Sequence, residues 1–176
     1  LANPNDQAAQ VTLTYLVPGG APVVVNKVLA PRARTTINVA LEDPSLQDAA
    51  VATRIESSLP ILSERSMYWP GSPDTWHEAH NSFGDTATDT KWALAEGRVG
   101  GPESHQTYIL LANPGNQAAT VTVAYLRENA ALVQKQYVVP AASRFNSRRS
   151  TTAVRIFSTS IPAPSSVIVT RSAPLL

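Results

Sequence analysis

Few stretches of the chain bring chemistry-bearing side chains close together. The densest is Trp76-His77-Glu78-Ala79-His80. Two histidines and a carboxylate can hold a zinc ion. The zinc-protease pattern, however, places its histidines four apart on a helix with glutamate between them. Here the spacing is three, in a segment rich in Pro, Ser and Asp, so a solvated or hydrogen-bonded loop is preferred and no metal is assigned. Ser, His and Asp all occur, but no G-x-S-x-G elbow anchors a hydrolase triad. Glu56 and Glu64 pair as glycosidase carboxylates only in the sense that any two acids on neighbouring strands would. Gly97, Gly100 and Gly101 lack the Lys-Ser/Thr of a phosphate loop and read as a turn between strands. With no cysteine in the chain, a disulfide scaffold, a thiolate metal site and a cysteine nucleophile are excluded. The sequence therefore predicts no catalytic residue, no cofactor and no enzyme.

Aromatic side chains offer a different chemistry. Tyr68, Trp69, Trp76 and Trp92 cluster in sequence, and flat rings can stack on sugars, which would make a carbohydrate-binding face. Packing of the core or of a domain junction is the preferred reading, because large rings contribute most burial there. Charge points to no acidic partner. The net charge is +1, which gives no global case for nucleic acid or a membrane surface. It is unevenly spread: residues 1–90 carry 5 basic and 10 acidic side chains, residues 91–176 carry 9 and 3. The basic run from Arg144 to Arg149 holds one aromatic, Phe145, whereas a single-strand nucleic-acid surface interleaves several. It reads as a solvated edge or a divergent tail.

What must position these residues is a duplication. Leu1-Ala2-Asn3-Pro4 returns as Leu111-Ala112-Asn113-Pro114, and 11 of 16 positions match between residues 1–16 and 111–126. The match continues through Ala21, Val23, Val28 and Arg34 against Ala131, Val133, Val138 and Arg144. Arg65-Ser66 reappears as Arg171-Ser172 at a spacing of 106 in place of 110. A period near 110 exceeds the roughly 50 residues of solenoid units and is domain-sized. The expectation is two tandem units, residues 1–90 and 91–176, each with its own core and joined like beads.

Within each copy the pattern is that of strands. Val11, Leu13 and Tyr15 alternate with Thr12 and Thr14, and Val121, Val123 and Tyr125 repeat the stripe. Period two with β-branched and aromatic residues marks a strand with one buried face. The turn Asn3–Asp6 precedes it, matched by Asn113–Asn116, and Pro18–Pro22 breaks the chain after it. Strands are expected at Val23–Leu29 and Leu132–Val139, each ended by a proline, Pro31 or Pro140. Others are expected at Thr35–Val39, Val51–Ser57, Ile61–Trp69, Lys91–Glu96, Gln106–Ala112, Val154–Ser158 and Val167–Thr170. Only Leu41–Ala50 could be helical, limited by Pro44 to a turn or two. Pro70–Thr90 is read as a loop joining the units. Short strands every 8–12 residues or so predict an all-β fold, two tandem immunoglobulin-like antiparallel β-sandwich units. On this reading the first unit lacks its opening strands, the second diverges past Phe145 and lacks its closing segment, and the chain looks excised from something longer.

A composition of 43% hydrophobic and 15% charged residues suits a buried core. The longest apolar run, Tyr108–Ala112, falls far short of the roughly 20 residues of a bilayer span. The strings Trp92–Gly97, Gln106–Pro114, Ala118–Leu126, Glu64–Trp69 and His80–Ser82 together resemble the tandem LANP-type β-sandwich repeats of bacterial secreted and cell-surface proteins. That resemblance implies an extracellular, non-catalytic spacer or adhesion module with neighbouring repeats, a surface glycan or a protein as partners. The alternative is a carbohydrate-binding module attached to a secreted enzyme.

Overall fold

The computed structural model describes residues 1–69, 78–94, 97, 99–102, 107–127, 129–148, 156–160 and 168–172, with backbone alone at 68–69, 78–79, 147–148, 156–160 and 168–172. Its strand pairing is antiparallel throughout. In the first copy, β1 (Ala2–Asn3) pairs with β4 (Ala33–Arg34), and β2 (Ala9–Leu16) is the middle strand between β3 (Val23–Leu29) and β5 (Ala52–Ser57). A hairpin of β6 (Glu64–Trp69) and β7 (Glu78–Phe83) follows. The second copy holds a four-stranded sheet of β11 (Val133–Val139), β10 (Ala119–Leu126), β13 (Ile156–Ser160) and β8 (Lys91–Leu94). It also holds a three-stranded sheet of β12 (Ser143–Arg148), β9 (Tyr108–Asn113) and β14 (Ile168–Ser172).

The duplication in sequence is a duplication in pairing. β2 meets β3 with Leu13 opposite Val25, and β10 meets β11 with Val123 opposite Lys135, the same register shifted by one repeat. Ala2 bridges Leu62 where Ala112 faces Ile168, so the shifted spacing of Arg65-Ser66 and Arg171-Ser172 is a register constraint of the sheet. Each copy keeps its own core. Ala9, Val11, Leu13, Tyr15, Leu29 and Leu46 form one cluster. Ile109, Leu111, Ala119, Val121, Val123, Tyr125 and Val139 form the other, drawn from both sheets of the second copy. The alternating stripe of β2 and β10 supplies most of both, since in a strand every second side chain points to one face.

Two expectations need correction. Thr35–Val39 is not a strand. Thr35 N–H donates to the Leu1 carbonyl (2.8 Å), and 3-10 turns follow at Val39–Leu41 and Pro44–Leu46. Asn38 and Asp43 cap these turns, their side chains accepting from the Ala40 and Ser45 amides, the usual task of such residues. The matching stretch of copy two is the full strand β12, because β9 offers it six residues. The span Pro70–Thr90 is not all loop, since β7 lies inside it. Its sequence, Glu-Ala-His-Asn-Ser-Phe, carries no apolar alternation, so only the pairing to β6 reveals it.

Candidate functional site

The repeated Leu-Ala-Asn-Pro string builds a lock. Asn3 is 1% exposed and Asn113 2%. The Asn3 side-chain amide donates to the carbonyls of Gln7 (2.8 Å), Leu29 (3.2 Å) and Ala30 (3.0 Å). Asn113 does the same to Gln117 (2.7 Å), Val139 (3.1 Å) and Pro140 (3.0 Å). Each Oδ1 accepts the amide two residues on, from Asn5 or Gly115 (both 3.0 Å), an Asx-type turn. One side chain thus fastens the end of the central hairpin to the strand before it and satisfies buried carbonyls that would otherwise be costly. The turn it braces holds a left-handed residue in both copies, Arg32 (φ 51°) and Ala142 (φ 45°).

At the opposite end the copies differ. Tyr15 is buried with its hydroxyl unpartnered, and Lys27 pairs with Glu42 at 2.7 Å, Glu42 being only 12% exposed at its side chain. Burial, and then the Glu42 charge, push the Tyr15 hydroxyl up to about 12. Position 27 becomes Tyr137 in copy two, whose hydroxyl lies 3.3 Å from that of Tyr125 and whose ring tilts against Phe145 at 5.1 Å. An ion pair in one copy is an aromatic cluster in the other.

The two copies touch. Ser143 Oγ donates to the Val17 carbonyl (3.0 Å), joining the start of β12 to the turn after β2. Ser143 stands where copy one has Ala33. Next to it, Arg144 is 6% exposed, although its counterpart Arg34 is exposed. Arg144 Nη2 donates to Asn146 Oδ1, while its Nε is buried without a partner. Arg65, half-buried on β6 of the first copy, also has Nε and Nη2 buried and unpartnered. Burial lowers the Arg65 pKa. Burial and then the Arg65 charge bring Arg144 down to about 10. Leu110 and Ala112, on the face of β9 away from the core, are buried as well at 9% each. Ala112 is the register partner of Arg144. The central strand of this sheet is therefore covered on both faces.

The aromatic candidates are not gathered into a face among the described residues. Trp92 is half-buried against the second core, its Nε1 donating to the Asp89 carbonyl at 3.3 Å. Tyr68 and Trp69 lie on β6, with their side chains outside the described residues, and Trp76 lies outside them entirely. His80 sits on β7 opposite Met67, and His77 is outside the described residues. No cluster of three metal-ligating side chains occurs among the described residues. No described helix is long and apolar enough to cross a membrane. Sequence reasoning pairs Arg34 with Arg144 and Arg65 with Arg171 as repeat positions. It gives no sign that Arg144 is buried while its repeat counterpart Arg34 stays exposed.

No protein-family model matches the chain, and no curated protein does. One solved structure, described as Anabaena sensory rhodopsin transducer, is similar at 23% identity and a TM-score of 0.39. The match covers 51% of this chain and all of that one.

Proposed function

We propose that this chain is a stretch of tandem immunoglobulin-like β-sandwich repeats serving as a non-catalytic structural spacer or adhesion segment of a larger exported protein. The observation that carries the reading is the doubled pairing scheme. Two cores are built by equivalent strand positions of the repeat, and each is closed by its own buried asparagine. The apolar stripes are used in self-packing, and each described ion pair stays within one copy. The contact between copies supports a linear array. Val17 belongs to the turn end of copy one, Ser143 to the asparagine end of copy two, so unlike ends meet. A contact between unlike surfaces propagates instead of closing into a dimer. Trp92 packing on the core favours this reading over a sugar-binding face.

Small-angle scattering tests it on the whole chain. A single compact domain of this length would have a radius of gyration of about 16 Å. The spacer reading expects a clearly larger value and two unfolding transitions, each reported by one core. A radius matching the compact domain, with one transition sensed equally by both cores, would refute it.

A further inference from the structure

We propose that the outer edge of β5 is a docking site for one further β-strand, an extended segment of another repeat unit with the Trp-x-Leu alternation of Lys91–Leu94.

The two copies differ at this edge and agree at the other. β3 and β11 each end their sheet in the same way. On the far side, β13 is followed by β8 in the second copy, whereas among the described residues β5 ends its sheet. The two strands are equivalent, since Leu13 faces Ile55 where its repeat counterpart Val123 faces Thr159. An open edge presents backbone N–H and C=O groups without a ladder partner, a ready template for another strand. Ser58 N–H donates to the Gln10 carbonyl (2.9 Å), which fixes the alternation along the β2–β5 ladder. Arg54 and Glu56 then turn their backbone groups to β2, and Thr53, Ile55 and Ser57 turn theirs outward. The side chains of these three share the core-facing side with Tyr15, Leu13 and Val11. Even so, Thr53 and Ser57 are exposed and Ile55 is half-buried. A core-facing row at an open edge stays wet until a neighbouring strand covers it.

The second copy shows the chemistry of the strand that fits. In β8, Trp92 and Leu94 are half-buried against the second core, while Lys91 and Ala93 are exposed. Carrying this register across the repeat places an indole beside Ile55, a leucine beside Thr53 and a lysine beside Glu56. The apolar pair covers the open row, and the lysine meets a carboxylate, a favourable cross-strand pair. Backbone hydrogen bonds supply the affinity of such strand addition, and the alternate side chains supply the selection. The chain's own Lys91–Leu94 is held by β13, so the added strand comes from another unit. Naming a repeat unit as the partner rests on the repeat reading above, whereas binding of a strand at this edge does not. Scattering and strand binding can therefore fail separately.

The test is fluorescence anisotropy of a labelled peptide of residues 89–96 titrated with the full chain, with hydrogen exchange to locate it. The expected result is saturable binding of one peptide per chain and slowed exchange at Thr53, Ile55 and Ser57. N-methylation of the peptide at Trp92 and Leu94 removes the N–H groups that the register turns toward β5 and leaves the side chains in place. It should weaken binding by at least about tenfold. Trp92→Ser in the peptide should do the same, because the indole supplies most of the buried apolar surface. Thr53→Pro in the chain removes an outward donor at an exposed edge position, where proline is tolerated, and should also weaken binding. If Thr53→Pro fails to fold, the modified peptides on the parent chain carry the test. Absence of saturable binding, binding that N-methylation leaves unchanged, or protection that falls outside β5 would overturn the proposal.

Discussion

Tyr15 and Tyr125 occupy the same point of the repeat, yet the Tyr15 hydroxyl is buried without a hydrogen bond while the Tyr125 hydroxyl lies 3.3 Å from that of Tyr137. The strand pairing around the two tyrosines is the same, and the polar chemistry there is not. Each copy solves the problem of a buried phenol differently, and the difference can be measured.

Alkaline stability should separate the two solutions. The folded state holds Tyr15 protonated up to about 12, against an ordinary value near 10. Between those values the unfolded chain releases the proton and the folded chain keeps it, so stability is intact below pH 10 and falls as pH rises toward 12. Arg144 works in the opposite sense. Its folded value of about 10 is depressed, so the cost of burying its charge is relieved as pH climbs past 10. Tyr15→Phe should therefore flatten the alkaline loss of the first core. At pH 7 it should be neutral or stabilising by up to about 1 kcal/mol, because an unpaired buried hydroxyl is removed. Circular dichroism melts from pH 8 to 12 would check both. An unchanged alkaline slope would show that Tyr15 is not the titrating group.

The asparagine locks should be intolerant of change. Asn113→Ala removes the donor to three carbonyls and leaves buried acceptors behind, for a loss of about 3 kcal/mol. Asn113→Asp should cost at least as much, since a carboxylate would face those carbonyls as an acceptor. Urea titration of the two variants, with Asn3→Ala as the matching change in copy one, reads the effect directly.

Left-handed backbone at non-glycine positions offers stabilising changes. Ala142 has φ 45° and its N–H bonds the Gly115 carbonyl at 2.8 Å. Ala142→Gly relieves strain of about 1 kcal/mol, of which greater freedom of the unfolded chain returns part. The reverse holds at Gly19 (φ 65°), where an added Cβ meets nothing within 4 Å. Gly19→Ala should thus cost about 1 kcal/mol through backbone strain alone. A shift of the denaturant midpoint in the same direction for both changes would contradict this.

Core truncations should report on separate units. Leu13→Ala and Leu111→Ala each open a cavity in one cluster only, for about 2–5 kcal/mol apiece. Each should lower the transition of its own copy, and the double variant should show both losses added, as expected for distant sites. A single transition lowered equally by either change would mean that the two cores unfold as one.

Much of this architecture is written in plain residue types. The stripe of Val11, Leu13 and Tyr15, the prolines at Pro31 and Pro140 and the doubled Leu-Ala-Asn-Pro string lead directly to the strands, their ends and the repeat. What escapes is whatever depends on a partner distant in sequence. The stretch from Thr35 has strand composition but leads into a 3-10 turn, whereas Glu78–Phe83 lacks strand composition and is organised by β6. Asn3 reads as a turn residue, and nothing local shows that its amide gathers carbonyls 26 and 27 residues away. Arg144 looks like an ordinary surface cation, and nothing local shows that it is buried beside a residue that bonds to the other copy.

The connection entering β5 and β13 has one more implication. Leu13 faces Ile55 in copy one, while its counterpart Val123 faces Thr159, a partner reached over a shorter length of chain, and the neighbouring strands keep their alignment. A short run, in the region where copy one places its paired 3-10 turns, can vanish without a slip in pairing. That crossing is a natural splice point, where an inherited or engineered peptide could be hosted and new specificity acquired while the framework stays untouched.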